Sequence, residues 1–81
     1  MAGNAAAGAQ LPLALVHEGE AVTVVKVRGN DEMCRHLENL GFVEGAQVKV
    51  VSQGSASGTI CQVKGSQLGI DRNTAMHITT N

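Results

Sequence analysis

The 81-residue chain has no tryptophan, no tyrosine and one phenylalanine, Phe42. It therefore lacks the aromatic platforms on which single-stranded nucleic acids stack and the aromatic-lined groove that reads polyproline peptides. Charge of either sign is sparse: six basic and seven acidic residues, scattered along the chain, leave a formal net charge of −1. Such a balance offers no electrostatic funnel toward nucleic acid or acidic lipid. Cys34 and Cys61 form no CxxC pair, a pattern of reduced cytosolic thiols rather than a disulfide scaffold, although spacing alone leaves a bridge between them open. Long apolar runs are missing as well. Leu11 to Val16 is far too short to span a bilayer, and the opening MAGNAAAGAQ has neither the basic start nor the apolar stretch of a signal peptide. These absences imply a cytoplasmic protein, with a flexible leader over residues 1–10 and one domain over residues 11–81.

What the chain does have is valine. The apolar share is an ordinary 43%, and ten valines with few helix formers favour strands. A chain this short can build a core only a few side chains deep, so a large enclosed active site is not expected. The β-branched run Ala21 to Val27 predicts a first long strand, and Val24-Val25 places one valine on each face, which requires cover on both sides or a bulge. Arg28-Gly29-Asn30 then turns the chain into a helix. Met33, Leu37 and Leu40 fall at i, i+4 and i+7, one face over roughly three turns. Asn30 or Asp31 can cap its start, and Asp31 and Glu32 favour its first turn. Gly41 stands where a left-handed residue ends a helix, and Phe42 where a side chain packs back on Leu37, so Phe42 is expected to be buried.

After Gly45, Ala46, Val48 and Val50 alternate with Gln47 and Lys49, the signature of a strand with one wet face. Ser52 to Gly58 reads as a mobile polar loop. Thr59 to Val63 and Gln67 to Asp71 read as a hairpin joined by Lys64-Gly65-Ser66. Arg72 to Ala75 has the composition of a single helical turn, and Met76 to Thr79 of a last strand. The architecture expected is mainly β: a small, strongly bent barrel of about five antiparallel strands, closed so as to remove exposed edges, with one short helix inserted after the first long strand.

Leu37-Glu38-Asn39-Leu40-Gly41-Phe42-Val43-Glu44-Gly45-Ala46-Gln47-Val48-Lys49-Val50-Val51, followed by Val63-Lys64-Gly65-Ser66-Gln67-Leu68-Gly69-Ile70 and by Ala75-Met76-His77-Ile78, resembles the FeoA family of small bacterial proteins. That family carries an LxxLGxxxGxxVxVV stretch, a VKGxxLxI-like hairpin and an A-xx-I ending, and the likeness covers roughly residues 11 to 80. It implies an SH3-like barrel and a cytoplasmic accessory role for the FeoB ferrous-iron transporter. Asp71 departs from the pattern, standing where an apolar or basic residue is expected.

The possible chemistry narrows the reading further. Metal binding needs several ligands held together, and the candidates His17, His36, His77, Cys34, Cys61 and three methionines are badly spaced for it. On the helix, Cys34 and His36 point in different directions, and Glu32 and His36, at i and i+4, can face one another but make only two exposed ligands. No local signature supports a cysteine or serine nucleophile, and Gly54 to Gly58 lacks the Lys-Ser/Thr ending of a phosphate loop. No enzyme activity, cofactor or metal site is therefore assigned. Protein contact remains, through a surface made of Arg35, Glu38, Asn39, Leu40, Phe42 and Val43, although Leu40 and Val43 can serve equally as core. The expected function is docking on a FeoB-type transporter and modulating it. The alternative is a metal-sensing domain that binds a divalent transition metal directly.

Overall fold

The structure, a computed structural model, describes residues 10–55 and 58–81. The elements follow in the order β1 (Leu11–Pro12), a 3-10 turn (Leu13–Leu15), β2 (Ala21–Val27), α1 (Asp31–Leu40), β3 (Gln47–Ser55), β4 (Gly58–Val63), β5 (Ser66–Ile70), α2 (Arg72–Met76) and β6 (Ile78–Thr80). All strands belong to one antiparallel sheet in the order β1-β6-β2-β3-β4-β5.

The bend of this sheet comes from β2. Ala21, Val22 and Thr23 pair with β3, whereas Val24, Lys26 and Val27 pair with β6, and the register slips at Val25. The Val24-Val25 doublet is thus a bulge, and one strand serves two half-sheets. At the corner the Val24 N–H donates to Ala46 O and its carbonyl accepts from Gly45 N–H, both at 2.8 Å. The backbone groups that the bend removes from the ladder stay satisfied.

Three expectations need correction. The hydrogen-bonded sheet has six strands rather than about five, and among the described residues it is not closed: β1 and β5 are its edges. The sixth strand is Leu11–Pro12, which pairs with β6 near the carboxyl terminus; no short-range pattern announces it. The polar stretch after Val51 continues β3 as far as Ser55, so only Ala56 and Ser57 of the expected loop, like residues 1–9 of the expected leader, lie outside the described residues. Finally, Met76 belongs to α2, and the last strand begins at Ile78.

The core holds Leu13, Val16, Val24, Leu37, Phe42, Val48, Val50, Cys61, Val63, Ala75 and Ile78, with Met33, Leu40 and Leu68 packed against it half-buried. Phe42 is the largest buried side chain. Strand β3 keeps its alternation, with Val48 and Val50 inside and Gln47 and Lys49 outside. Gln53 supplies a polar tie. Its Nε2 donates to Leu13 O at 3.0 Å and to Val16 O at 2.7 Å, its Oε1 accepts from the buried Thr59 hydroxyl, and its N–H donates to Glu18 Oε2 at 3.0 Å. One side chain thereby fixes the 3-10 turn to the sheet, adding a second donor at Leu13 O, which already accepts from Val16 N–H at 3.1 Å, and supplying one at Val16 O.

Helix α1 is built at both ends by its own sequence. Asn30 Oδ1 accepts from Met33 N–H at 2.8 Å, and Asp31 and Glu32 occupy the first turn. At the other end Gly41 is left-handed (φ 108°), its N–H donates to Glu38 O at 3.0 Å, and Phe42 N–H donates to Leu37 O at 2.9 Å. This double closure is a Schellman motif. It drives Phe42 inward beside Leu37. A Cβ on Gly41 would also come within 2.9 Å of Val63 Cγ1, whereas one on Gly45 (φ 89°) would meet nothing within 4 Å.

The two glycines therefore separate backbone strain from packing. Gly45→Ala should cost about 1–2 kcal/mol, the penalty of a left-handed residue with a Cβ. Gly41→Ala should cost measurably more, because Val63 must also give way. Urea unfolding of both variants checks this; equal losses would mean that the contact with Val63 relaxes freely.

Candidate functional site

The outward face of α1 alternates with the face that Leu37 buries. Arg35, Glu38 and Asn39 are all exposed on it, and the chain then passes through half-buried Leu40, buried Gly41 and Phe42, and half-buried Val43. Of the residues expected to form a surface, Arg35, Glu38 and Asn39 are exposed and Leu40 and Val43 are half-buried, with one change of role. Phe42 is 0% exposed, so it cannot line the surface and instead holds up the corner from below. Leu40 packs partly against the core, so it too divides its contacts between inside and outside. A shallow depression lined by Asp31, Glu32, Arg35, His36 and Asn39 adjoins this face, and exposed Glu44 follows Val43. These residues are mixed in charge, with half-buried Leu40 and Val43 set between polar neighbours along the chain. That arrangement suits reversible protein contact.

Residues with metal or nucleophile chemistry do not converge. Among the described residues no three His, Cys, Asp or Glu side chains form a group that could hold a metal ion. His17 and His36 are exposed. His77 Nδ1 lies 2.8 Å from Asn73 O, so it donates to the last turn of α2. Both cysteines are free. The Cys34 thiol lies 3.7 Å from Val27 O and from Gly29 O. Cys61 is fully buried, and burial pushes its thiol from the ordinary 9.0 up to about 11, so it is an apolar core residue at neutral pH.

The FeoA domain model matches residues 11–80, from the first strand through the last. The chain belongs to the FeoA family. A crystal structure of an iron uptake regulatory protein (FeoA) superposes with a TM-score of 0.82 at 24% identity, over 89% of this chain and 95% of that one. Stenotrophomonas maltophilia FeoA, solved with zinc and described as an SH3 domain protein, gives 0.75 at 25% identity, over 88% and 89%. FeoA from Chlorobium tepidum gives 0.78 at 29% identity, over 88% and 69%. A comparison with curated protein sequences finds no match. The FeoA family relates to ferrous iron transport, and the SH3-like architecture expected from the sequence is the observed one. No helix among the described residues of this FeoA domain is long and apolar enough to cross a membrane.

The departure of this FeoA domain at Asp71 has a local reason. Asp71 does not end a strand: it caps α2, its Oδ1 accepting from Thr74 N–H at 2.7 Å. Hydrogen bonds from the Thr74 side chain and backbone hold its carboxyl below the ordinary value. The signal was present in sequence as Asp three residues before Thr74, ahead of the short helix.

The buried thiol sets an alkaline limit on stability. The unfolded chain ionises Cys61 near 9.0, while the folded protein resists until about 11. Its contribution is therefore complete below the lower value and is lost as pH rises through the interval. Denaturant unfolding across this range should show falling stability, and Cys61→Ala should reduce the slope. An unchanged slope would place the alkaline loss elsewhere. In alkylation near neutral pH, Cys34 should react in the native protein and Cys61 only as the domain unfolds.

Proposed function

We propose that this FeoA domain is a small, non-enzymatic accessory protein of ferrous iron uptake. It docks by protein contact on the cytosolic side of a FeoB-type membrane transporter and modulates it. Family membership over residues 11–80 is the observation that carries the reading. The Stenotrophomonas maltophilia relative is itself raised as a bacterial ferrous iron transport activating factor. The exposed residues Arg35, Glu38 and Asn39 beside half-buried Leu40 and Val43 supply the contact surface, with Phe42 as its buried support. Modulation then requires that the domain bind one conformation of the transporter better than another, since equal affinity for both would shift nothing.

Direct sensing of a divalent transition metal is the competing reading. The Stenotrophomonas maltophilia structure contains zinc, but in this chain the ligand-bearing side chains stay apart among the described residues, which favours the docking role.

Two measurements test the pair. Arg35→Glu, Leu40→Glu and Val43→Glu should each weaken co-purification with the transporter by about tenfold or more, the loss expected at the centre of an interface, while far-UV circular dichroism stays native. Retained binding by all three folded variants would move the interface elsewhere. Anaerobic calorimetry of the isolated domain with ferrous iron should give no tight stoichiometric binding. A saturating one-to-one isotherm would instead establish the sensor.

A further inference from the structure

On the outer side of the sheet, a shallow groove of about 510 Å³ runs from the start of β2 across β3 to the turn that follows β4. Lys49 and Lys64 line it together with Gln47 and Gln62, all four exposed, while Ala21 and Ala46 are too small to fill it. No acidic residue lines it. Glu20 and Glu44, the carboxylates nearest to Ala21 and Ala46 along the chain, stay outside. The depression on α1, by contrast, sets Arg35 beside Asp31 and Glu32. Among the described residues neither groove lysine has an ion pair or a hydrogen bond to its ammonium group. Two cations thus share one concave surface with nothing of opposite charge.

Lys64 is the second observation. Its φ is 52°, and among the described residues it is the single non-glycine residue with positive φ. With Gly65 at 81°, the turn has the two left-handed positions of a type I′ hairpin, where asparagine, aspartate or glycine is the cheaper first residue. Side chains held in such sparsely populated backbone cluster at functional sites. The stem of Lys64 also lies at the end of α1, since a Cβ on Gly41 would come within 3.7 Å of its Cδ. That packing calls for an alkyl stem and not for its charge. A groove without carboxylates gives the charge a use.

We propose that this groove binds an extended acidic segment of a protein partner, with one carboxylate on Lys49 and a second, two residues along, on Lys64. The register sets the spacing. Lys49 faces Gln62 across the strand pair, and Lys64 lies two residues beyond Gln62, so the two lysines are diagonal neighbours about 7–8 Å apart at the backbone. Side chains on one face of an extended peptide recur at about 7 Å. The Gln47 and Gln62 amides, each donor and acceptor, suit the peptide backbone between them. Nucleic acid and acidic lipid fit less well: the one aromatic side chain is buried, and a net charge of −1 exerts no long-range pull on a polyanion. Two exposed ion pairs make the binding weak and reversible. It stands whether or not the α1 face docks on a transporter.

Amide NMR of the isotope-labelled full chain, titrated at low ionic strength with a capped peptide centred on Glu-Val-Glu, tests this. The amide shifts of Gln47, Lys49, Gln62, Lys64 and Gly65 should move and saturate, and affinity should fall as added salt screens the pairs. The same peptide with Gln-Val-Gln at its centre should move nothing. Lys49→Gln and Lys64→Asn should each weaken binding by about threefold or more, the share of one exposed ion pair. Lys64→Asn should at the same time keep or raise the thermal midpoint, because asparagine suits the turn. Absence of saturation, shifts that map elsewhere, or unchanged binding by Lys64→Asn overturns the proposal. So does inorganic phosphate or an oligothymidylate that binds as tightly as the acidic peptide, since the groove then reads phosphate rather than paired carboxylates. If Lys64→Asn unfolds, Lys49→Gln, at an exposed strand position, decides in its place.

Discussion

Two backbone hydrogen bonds, Gly41 N–H to Glu38 O and Phe42 N–H to Leu37 O, decide how the helix meets the sheet. They reverse the chain within one residue, and only a residue tolerant of φ near 108° can make the reversal cheaply. Because Phe42 follows at once, the largest buried side chain enters the core from the same point at which α1 ends. Leu40 and Val43, on either side of this reversal, are left half-buried. The candidate docking surface is in this sense a by-product of stopping the helix: the residues that flank an inward-driven aromatic must lie at the boundary between core and water.

The rest of the core has no second aromatic side chain to fill space, and relies on valine, leucine and isoleucine from nearly every element. A domain of this size buries a smaller share of its surface than a larger one, so the satisfaction of backbone groups carries more weight. Gln53 illustrates this. Its amide holds two carbonyls of the 3-10 turn and receives the buried Thr59 hydroxyl, and Thr80, also buried, donates to Leu11 O at 2.9 Å. Polar side chains here tie the 3-10 turn and the first strand to segments far away in the chain.

Which features were legible in sequence depended on the range of the interactions behind them. The period-2 alternation at residues 46–50 and the glycine stop are local, and the structure has both; the Val24-Val25 doublet and the choice of Asn30 or Asp31 as cap each left two readings, and the structure takes the bulge and Asn30. Asp71 was local too, but the hairpin pattern before it was extended one residue too far, which hid a cap inside a strand. Strand β1 and the inward role of Gln53 depend on partners 69 and 40 positions away in the chain, as the Thr80–Leu11 and Gln53–Leu13 bonds show. No periodicity encodes such pairings. The candidate surface could be named from sequence because α1 and its stop are local; the burial of Phe42 within it was expected from the same motif and removes that side chain from direct contact.

The helix stop is also tied to the hairpin. A Cβ at Gly41 would lie 2.9 Å from Val63 Cγ1 and 3.7 Å from Lys64 Cδ, so the end of α1 rests on the end of β4 and the turn that follows it. Lys64 and Gly65 hold that turn with positive φ, and Val63 is itself buried in the core. The reversal that drives Phe42 inward and the turn that returns the chain as β5 therefore constrain one another through a single close contact, and a bulkier residue at Gly41 would disturb both.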